Sequence, residues 1–430
     1  MPTRRPASPR PSAAWVAALL VCACSMTAPT AAPTAAPTAT TPPPASASPV
    51  ASHPPDAQVY ASIRKDVEAI RGLQPTADVD PVTIDEARLR TNLTAEFDSE
   101  NTPTDLKFSE ETLIALGLLP AGSSLRDLTL DFQGSQVAGY YSPDKNELFV
   151  VSRSGGLGPA EEVTYSHEFT HQLQDQHFDL GKLGVDATNQ SDRALAQLAL
   201  IEGDAVSVQN RWTTANLTPE EMGQLFSASL DPKALEALQR APAYLRETSL
   251  FPYLNGNPFV ETLLAGGGYG AVNDAFAKPP VSTEQILHPE KYAQQEPPVE
   301  VRLPTNLGAK MGAGWTDAGQ DTLGEFVLGL WLTQNGVTSA AASAASAGWG
   351  GDRLVLLRGP LGTTTVGLVT VWDTEEDAAA FSDAATSAIE RLGTIETRHL
   401  LSGSKAVVVT LGDGAKKLMS LIGGAAALGQ

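Results

Sequence analysis

Apolar positions recur every three or four residues from Val59 through Ile63, Val67 and Ile70, and the run stops at Gly72. That spacing predicts an amphipathic helix closed by a glycine. A second helical stretch is expected over 109–119, ahead of Pro120. The period then shortens to two. Leu128-Thr129-Leu130-Asp131-Phe132 and Val137-Ala138-Gly139-Tyr140-Tyr141 read as strands. Leu148-Phe149-Val150-Val151 reads as a return strand after the turn residues Ser142-Pro143-Asp144-Lys145-Asn146. Beyond the glycines at 155, 156 and 158, Pro159 suits the first turn of a helix, with Glu161 and Glu162 well placed at its positive end. Another helix is expected from Ser191, as N-cap, to Trp212. Further helices separated by Pro/Gly-rich loops fill 218–345.

The character changes after Gly348-Trp349-Gly350-Gly351. Leu354 to Leu357 and Val366 to Trp372 are strand-like, Asp373 and Glu376 have the spacing of a capping box, and Val407-Val408-Val409 suggests one more strand. The expected fold class is α+β. A small sheet packs on the helix opened by Pro159, a mostly helical second lobe completes a domain over 56–347, and 348–430 form a small α+β C-terminal lobe.

The first 55 residues have no core-forming pattern. Arg4, Arg5 and Arg10 precede an apolar run from Ala13 to Val21 that is too short to span a bilayer, which is the layout of an export signal. Val21-Cys22-Ala23-Cys24 resembles a bacterial lipobox with Ala23 before the cut. Residues 1–24 are then a lipoprotein signal peptide and Cys24 carries the lipid; an ordinary signal peptide cut nearby is the alternative. The Ala-Pro-Thr repeats and triple proline of 25–55 make an extended linker reaching on the order of 90 Å. The expected location is extracytoplasmic, lipid-anchored to a bacterial envelope.

Composition narrows the chemistry. Hydrophobic residues at 42% and charged ones at 18% are those of a globular chain, and a formal charge of −20 excludes a nucleic-acid partner. Cys22 and Cys24 are the two cysteines, so the body of the chain offers neither disulfide nor thiolate ligands. Any metal must be held by histidine and carboxylate. His167-Glu168-Phe169-Thr170-His171 supplies that pair on a helix, its two imidazoles about 40° apart and able to share one ion. Glu168, about 100° from His167, sits beside such an ion, where a general base is needed.

A third ligand is required. His177 lies six residues beyond His171, but Gln174 between them favours a continuing helix, which carries His177 about 120° around and roughly 9 Å along. Glu202 is the better choice. Leu195, Leu198, Ala199, Ala205 and Val206 form one apolar stripe with Glu202 at its centre, where a carboxylate is costly unless it binds metal or a buried arginine. Asp204 points about 160° away.

A His-Glu-x-x-His helix followed by a glutamate on a later helix is similar to the gluzincin group, which includes the thermolysin-like peptidases. More narrowly, Ala138-Gly139-Tyr140-Tyr141, the run from His167 to Leu180, Leu200 to Ala205 and Ser282 to Tyr292 resemble a family of bacterial exported metallopeptidases. The uncharged Thr164, Tyr165, Phe169, Thr170 and Gln172 agree with the wider pattern of zinc peptidases. Val206 departs from the thermolysin-like enzymes, which have an aspartate there. The resemblance implies Zn2+ on His167, His171 and Glu202, Glu168 as base, and a peptide or protein substrate. It makes His288 and Tyr292 candidates for the oxyanion donor, against a purely structural His288-Pro289 turn. By analogy, the strand from Leu148 to Val151 pairs with an extended peptide at its edge. The competing reading is a non-catalytic, surface-anchored binding module with a structural metal.

Overall fold

A computed structural model describes residues 56–152, 156–184, 189–392, 395–400 and 405–424. The export signal, Cys24 and the proline-rich linker lie outside the described residues. The periodic run at the start is helix α1 (Asp56–Arg71), closed by Gly72 at φ 74°. Strand β1 (Pro81–Ile84) and helices α2 (Glu86–Glu100), α3 (Pro103–Ala115) and α4 (Leu125–Gln136) follow. The hairpin β2 (Gly139–Ser142) and β3 (Glu147–Val151) then leads into two long helices, α5 (Pro159–Phe178) and α6 (Ser191–Asn216). Next come α7 (Pro219–Ser229), α8 (Pro232–Arg240), α9 (Ala243–Leu254), α10 (Gly256–Ala277), α11 (Thr283–Leu287), α12 (Pro289–Ala293) and α13 (Leu307–Met311). The last part runs β4 (Thr316–Asp321), α14 (Gly324–Gln334), α15 (Ser339–Ser346), β5 (Trp349–Arg358), β6 (Thr364–Trp372), α16 (Glu375–Leu392), β7 (Ile395–Leu400), β8 (Ala406–Gly412) and α17 (Ala415–Ile422).

The fold is α+β, with a three-stranded sheet ordered β1-β3-β2 and a five-stranded antiparallel sheet ordered β4-β5-β6-β8-β7. The small sheet packs on α5. Leu148 and Val150 meet Val163, Phe169 and Leu173, and Ile63 and Val67 of α1 and Val208 and Trp212 of α6 close the same core. The large sheet is covered on both faces, which explains its near-continuous apolar runs. Leu354, Leu356 and Leu368 pack under α14 and α16, while Val355, Leu357 and Val369 pack under α17. Helix α3 joins the first of these cores through Phe108 and Leu113, and Leu116 just beyond it takes the Trp331 indole N–H on its carbonyl.

Several local expectations need correction. Leu128 to Phe132 is helical within α4, capped by Ser124, whose hydroxyl accepts from the Asp127 N–H. Leu128 and Phe132, four apart, satisfy a helix face as well as a strand face. Helix α3 begins at Pro103, six residues before the expected start. Ser191 is inside α6, with Gln190 at the cap position, and its hydroxyl donates to Asp321. The box opening α16 is Thr374 with Asp377, one residue on from the expected pair. Strand β3 is central, flanked by β1 and β2, so it has no free edge for a peptide, and the outer strand β2 is buried throughout.

Candidate metal centre

Helix α5 starts as its sequence demands, with Pro159 in the first turn and Glu161 accepting from the Gly158 N–H. It continues through Gln174 to Asp179, which closes it at φ 55°. The middle of α5 lies under the small sheet and against α6, so His167, Glu168 and His171 are at most 4% exposed. Glu202 projects from α6 into the same space and is 1% exposed.

The three ligand atoms converge. His167 Nε2 and His171 Nε2 are 2.9 Å apart, and Glu202 Oε2 lies 3.1 Å from the first and 3.4 Å from the second. Donors about 2.0–2.1 Å from a tetrahedral ion are about 3.3 Å from one another, so this triangle is close to one face of such a site. His171 Nδ1 faces Gln174 Oε1 at 2.8 Å, so its proton sits there in the neutral tautomer and Nε2 is left as a lone pair. Gln209 of α6 lies against His167 and favours its protonation. The buried His167, His171 and Glu202 can hold a metal ion.

The charge on Glu202 agrees with that use. Burial works against the Glu202 carboxylate, yet His171 and His167 hold its pKa well below the usual range. Burial likewise opposes charge on His171, and Glu202 outweighs it and raises the pKa. On His167 burial wins and the pKa falls. Glu168 stands apart from the triangle. Burial pushes its carboxyl up to about 8, and among the described residues neither oxygen has a hydrogen bond of ordinary geometry. The Tyr141 backbone N–H faces it and favours the ionised form.

Strand β2 comes this close because Gly139 has no side chain. A Cβ there would lie 2.5 Å from the Thr164 methyl and 3.3 Å from Glu168 Cγ. The Val151 N–H bonds the Ala138 carbonyl, so in this antiparallel pair Gly139 and Tyr141 turn their backbone groups away from β3, the Tyr141 N–H toward Glu168.

Behind the triangle runs a polar chain. Gln174 Nε2 donates to the Ile201 carbonyl and to Asp204 Oδ2, each at 3.0 Å. Asp204 is paired with Arg71 at 2.9 Å, both side chains fully buried. The buried arginine weighed as a partner for Glu202 therefore exists, and it binds Asp204 instead. Gln174, in the place where a helix-breaking glycine would release His177, anchors His171. His177 itself is exposed, its Nε2 2.8 Å from the Gln74 carbonyl.

Two expected site residues are elsewhere. Thr283 at the head of their segment bonds Asp192, ten residues and about 15 Å along α6 from Glu202. His288 pairs with Glu325 at 3.0 Å, and the Tyr292 hydroxyl donates to the Lys278 carbonyl at 3.0 Å. Lys291 between them ties Glu284 to Asp373. The segment is a staple between α11 and the end of β6. The residue that reasoning from sequence missed is Tyr253. Its ring stacks 6.2 Å from that of His167, and its phenol faces Glu202 and Glu168, with burial first among the causes that raise its pKa well above 10. Tyr253 arrives through backbone contact of α6 with the start of α10. A Cβ on Gly203 would fall 2.3 Å from the Gly256 backbone, and one on Gly256 2.0 Å from the Ala199 carbonyl oxygen. A glycine next to Glu202 was the one available signal, and it does not say which residue approaches.

Among known proteins, the model of a family described as a domain of unknown function (DUF8575) matches residues 310–417, about a quarter of the chain. The match runs from α13 into α17 and covers the five-stranded sheet, not the helices bearing the triangle. No curated protein matches the chain.

Proposed function

We propose that the protein is a zinc-dependent peptidase, held outside the cytoplasm by a lipid on Cys24. Two imidazoles and one carboxylate are a zinc donor set that leaves a position open for substrate. Bound there, zinc supplies Lewis acidity toward a carbonyl group and a water molecule. The observation that carries the reading is Glu168: a fully buried acid beside the ligands, with neither oxygen in a hydrogen bond of ordinary geometry among the described residues. A site built only to hold an ion has no use for it. Glu168 accepts the proton of the attacking water and delivers it to the leaving amine. Tyr253 takes the donor role expected of His288 or Tyr292, its phenol stabilising charge that develops on the carbonyl oxygen.

Glu168→Gln tests this. Zinc near one per chain is expected in both forms, with hydrolysis of a peptide library lower in the variant by a factor on the order of a hundred or more. Equal turnover eliminates Glu168 as base, and no turnover in either form leaves the binding module. Cys24→Ala is expected to move the protein from the membrane to the soluble fraction; continued membrane association defeats the lipid anchor.

A further inference from the structure

A cavity of about 550 Å³ lies at the start of β5, apart from the candidate centre. Three arginines line it: Arg193 in the first turn of α6, Arg353 on β5, and Arg302 in the chain between α12 and α13. Arg193 is nine residues, about 14 Å, along α6 from Glu202. The chain carrying Arg302 is strapped onto the sheet. The Val299 N–H bonds the Gly350 carbonyl, and a Cβ on Gly351 would fall 2.3 Å from the Val299 carbonyl oxygen. Val299, Val301 and Leu303 of this strap give the cavity an apolar wall, Val299 being 39% exposed.

The charges around it are unevenly matched. Glu300 pairs with Arg302 at 2.6 Å. Arg353 gives its hydrogen bonds to neutral acceptors, the Gln320 and Thr322 side chains and the Asn189 carbonyl. Asp321, within reach of the Arg353 charge, is taken by Ser191. Arg193 is exposed and, among the described residues, has no hydrogen bond or ion pair. The two aspartates that line the cavity are engaged by interior donors. Asp192 accepts from the Thr283 N–H and hydroxyl, and Asp352 from the Leu323 and Gly324 N–H groups and the Trp349 indole. Burial pushes the Asp192 carboxyl up to about 8, which leaves it largely neutral at neutral pH. So in a chain of formal charge −20, two guanidinium groups outside any ion pair among the described residues line one cavity. The first turn of α6, a helix of 26 residues, adds its positive end.

We propose that this cavity binds an organic carboxylate with an adjoining apolar group, the carboxylate between Arg193 and Arg353 and the apolar group against Val299, Val301 and Leu303. The forked N–H groups of arginine match the plane of a carboxylate, and the strap rewards a ligand that buries apolar surface. The volume is within the roughly 300–1,000 Å³ of pockets that enclose a small ligand. The end of a peptide and a free short fatty acid share this chemistry. The inference is independent of the metal and of the peptidase reading.

The experiment titrates the full-length protein, in excess chelator so that zinc plays no part, with two probes. One is a fluorescein-labelled hexapeptide ending in leucine, as free acid and as amide, followed by anisotropy; the other is hexanoate, followed by calorimetry. Saturable binding of a carboxylate probe is expected, with the peptide amide weaker than the acid by a factor on the order of ten or more. Arg193→Gln, which breaks no contact among the described residues, is expected to weaken binding by a similar factor at an unchanged unfolding midpoint, and Arg353→Gln to do the same. Binding of the peptide acid but not hexanoate identifies a peptide end as the ligand, and the reverse identifies a free acid. Saturation by neither probe, equal affinity for peptide acid and amide, or affinity unchanged in Arg193→Gln overturns the site. Inorganic phosphate that displaces the bound probe as well as acetate or hexanoate does overturns the carboxylate assignment, because the apolar wall then contributes nothing.

Discussion

Replacing Gln174 by methionine keeps the length of the side chain and removes its amide. The amide makes three contacts: it accepts from His171 Nδ1 and donates to the Ile201 carbonyl and to Asp204. The Ile201 carbonyl is in the interior of α6 and keeps its helical bond, and Asp204 keeps Arg71. The principal losses are the buried His171 N–H and one bond to a charged oxygen, each about 1–3 kcal/mol. A fall in stability on the order of 2–6 kcal/mol follows, measured by thermal or urea unfolding in excess chelator. The sharper readout is metal affinity, because the imidazole is no longer fixed in one tautomer and orientation. A loss on the order of 10- to 100-fold is expected, by competition with a chromophoric chelator. Gln174→Glu separates the two effects. It preserves an acceptor for His171 but sets a second carboxylate against Asp204, so affinity is expected to survive while stability drops. Zinc affinity of Gln174→Met within about twofold of wild type would refute the idea that this chain of contacts positions His171.

Glu202→Gln is expected to lose zinc and hydrolysis together while His177→Ala keeps both, measured by metal analysis after dialysis against a weak chelator; the reverse pattern places the protein with three-histidine enzymes. Tyr253→Phe is expected to lower kcat on the order of a hundredfold at unchanged zinc content, with His288→Ala and Tyr292→Phe close to wild type; loss of turnover in the latter two returns the donor role to them. The bond to Glu325 raises the His288 pKa. Its stabilisation is therefore complete below the unfolded value of about 6.5 and fades as pH rises through the folded one. The unfolding midpoint should fall over that interval in wild type and stay flatter in His288→Gln, and parallel curves would remove His288 as the source.

The chemistry on α5 was legible because it is local: a fixed spacing on one helix puts two imidazoles together whatever surrounds them. Glu202 was legible for a different reason, as a carboxylate in the middle of an apolar stripe. Its neighbours were not. Arg71 meets Asp204 across 133 residues of sequence, and nothing near Gly72 marks the preceding arginine as the one that is buried. Strand β4 escaped because Thr-Asp-Ala-Gly-Gln-Asp has little strand propensity and owes its shape to pairing with β5. His288 and Tyr292 were drawn to the site by the look of their segment. Lys291, bonded to Asp373 just past β6, shows that the segment braces the five-stranded sheet rather than serving the centre.

The packing of α3 has a consequence for the order of assembly. Leu116, just past the end of α3, takes its bond from Trp331, 215 residues later, and Glu111 pairs with Arg358, 247 residues later. Contacts of such separation carry a large loop-closure cost and form late. Phe108 and Leu113 therefore remain exposed until the five-stranded sheet has been made. The polypeptide closes on itself like a clasp whose hook is made early and whose eye is made last. Pulse-labelling hydrogen exchange during refolding should protect α3 in the same phase as β5 and β6, and after α5 and α6. An arrested chain lacking the sheet should expose an apolar helix near its beginning, a ready site for chaperone capture or aggregation.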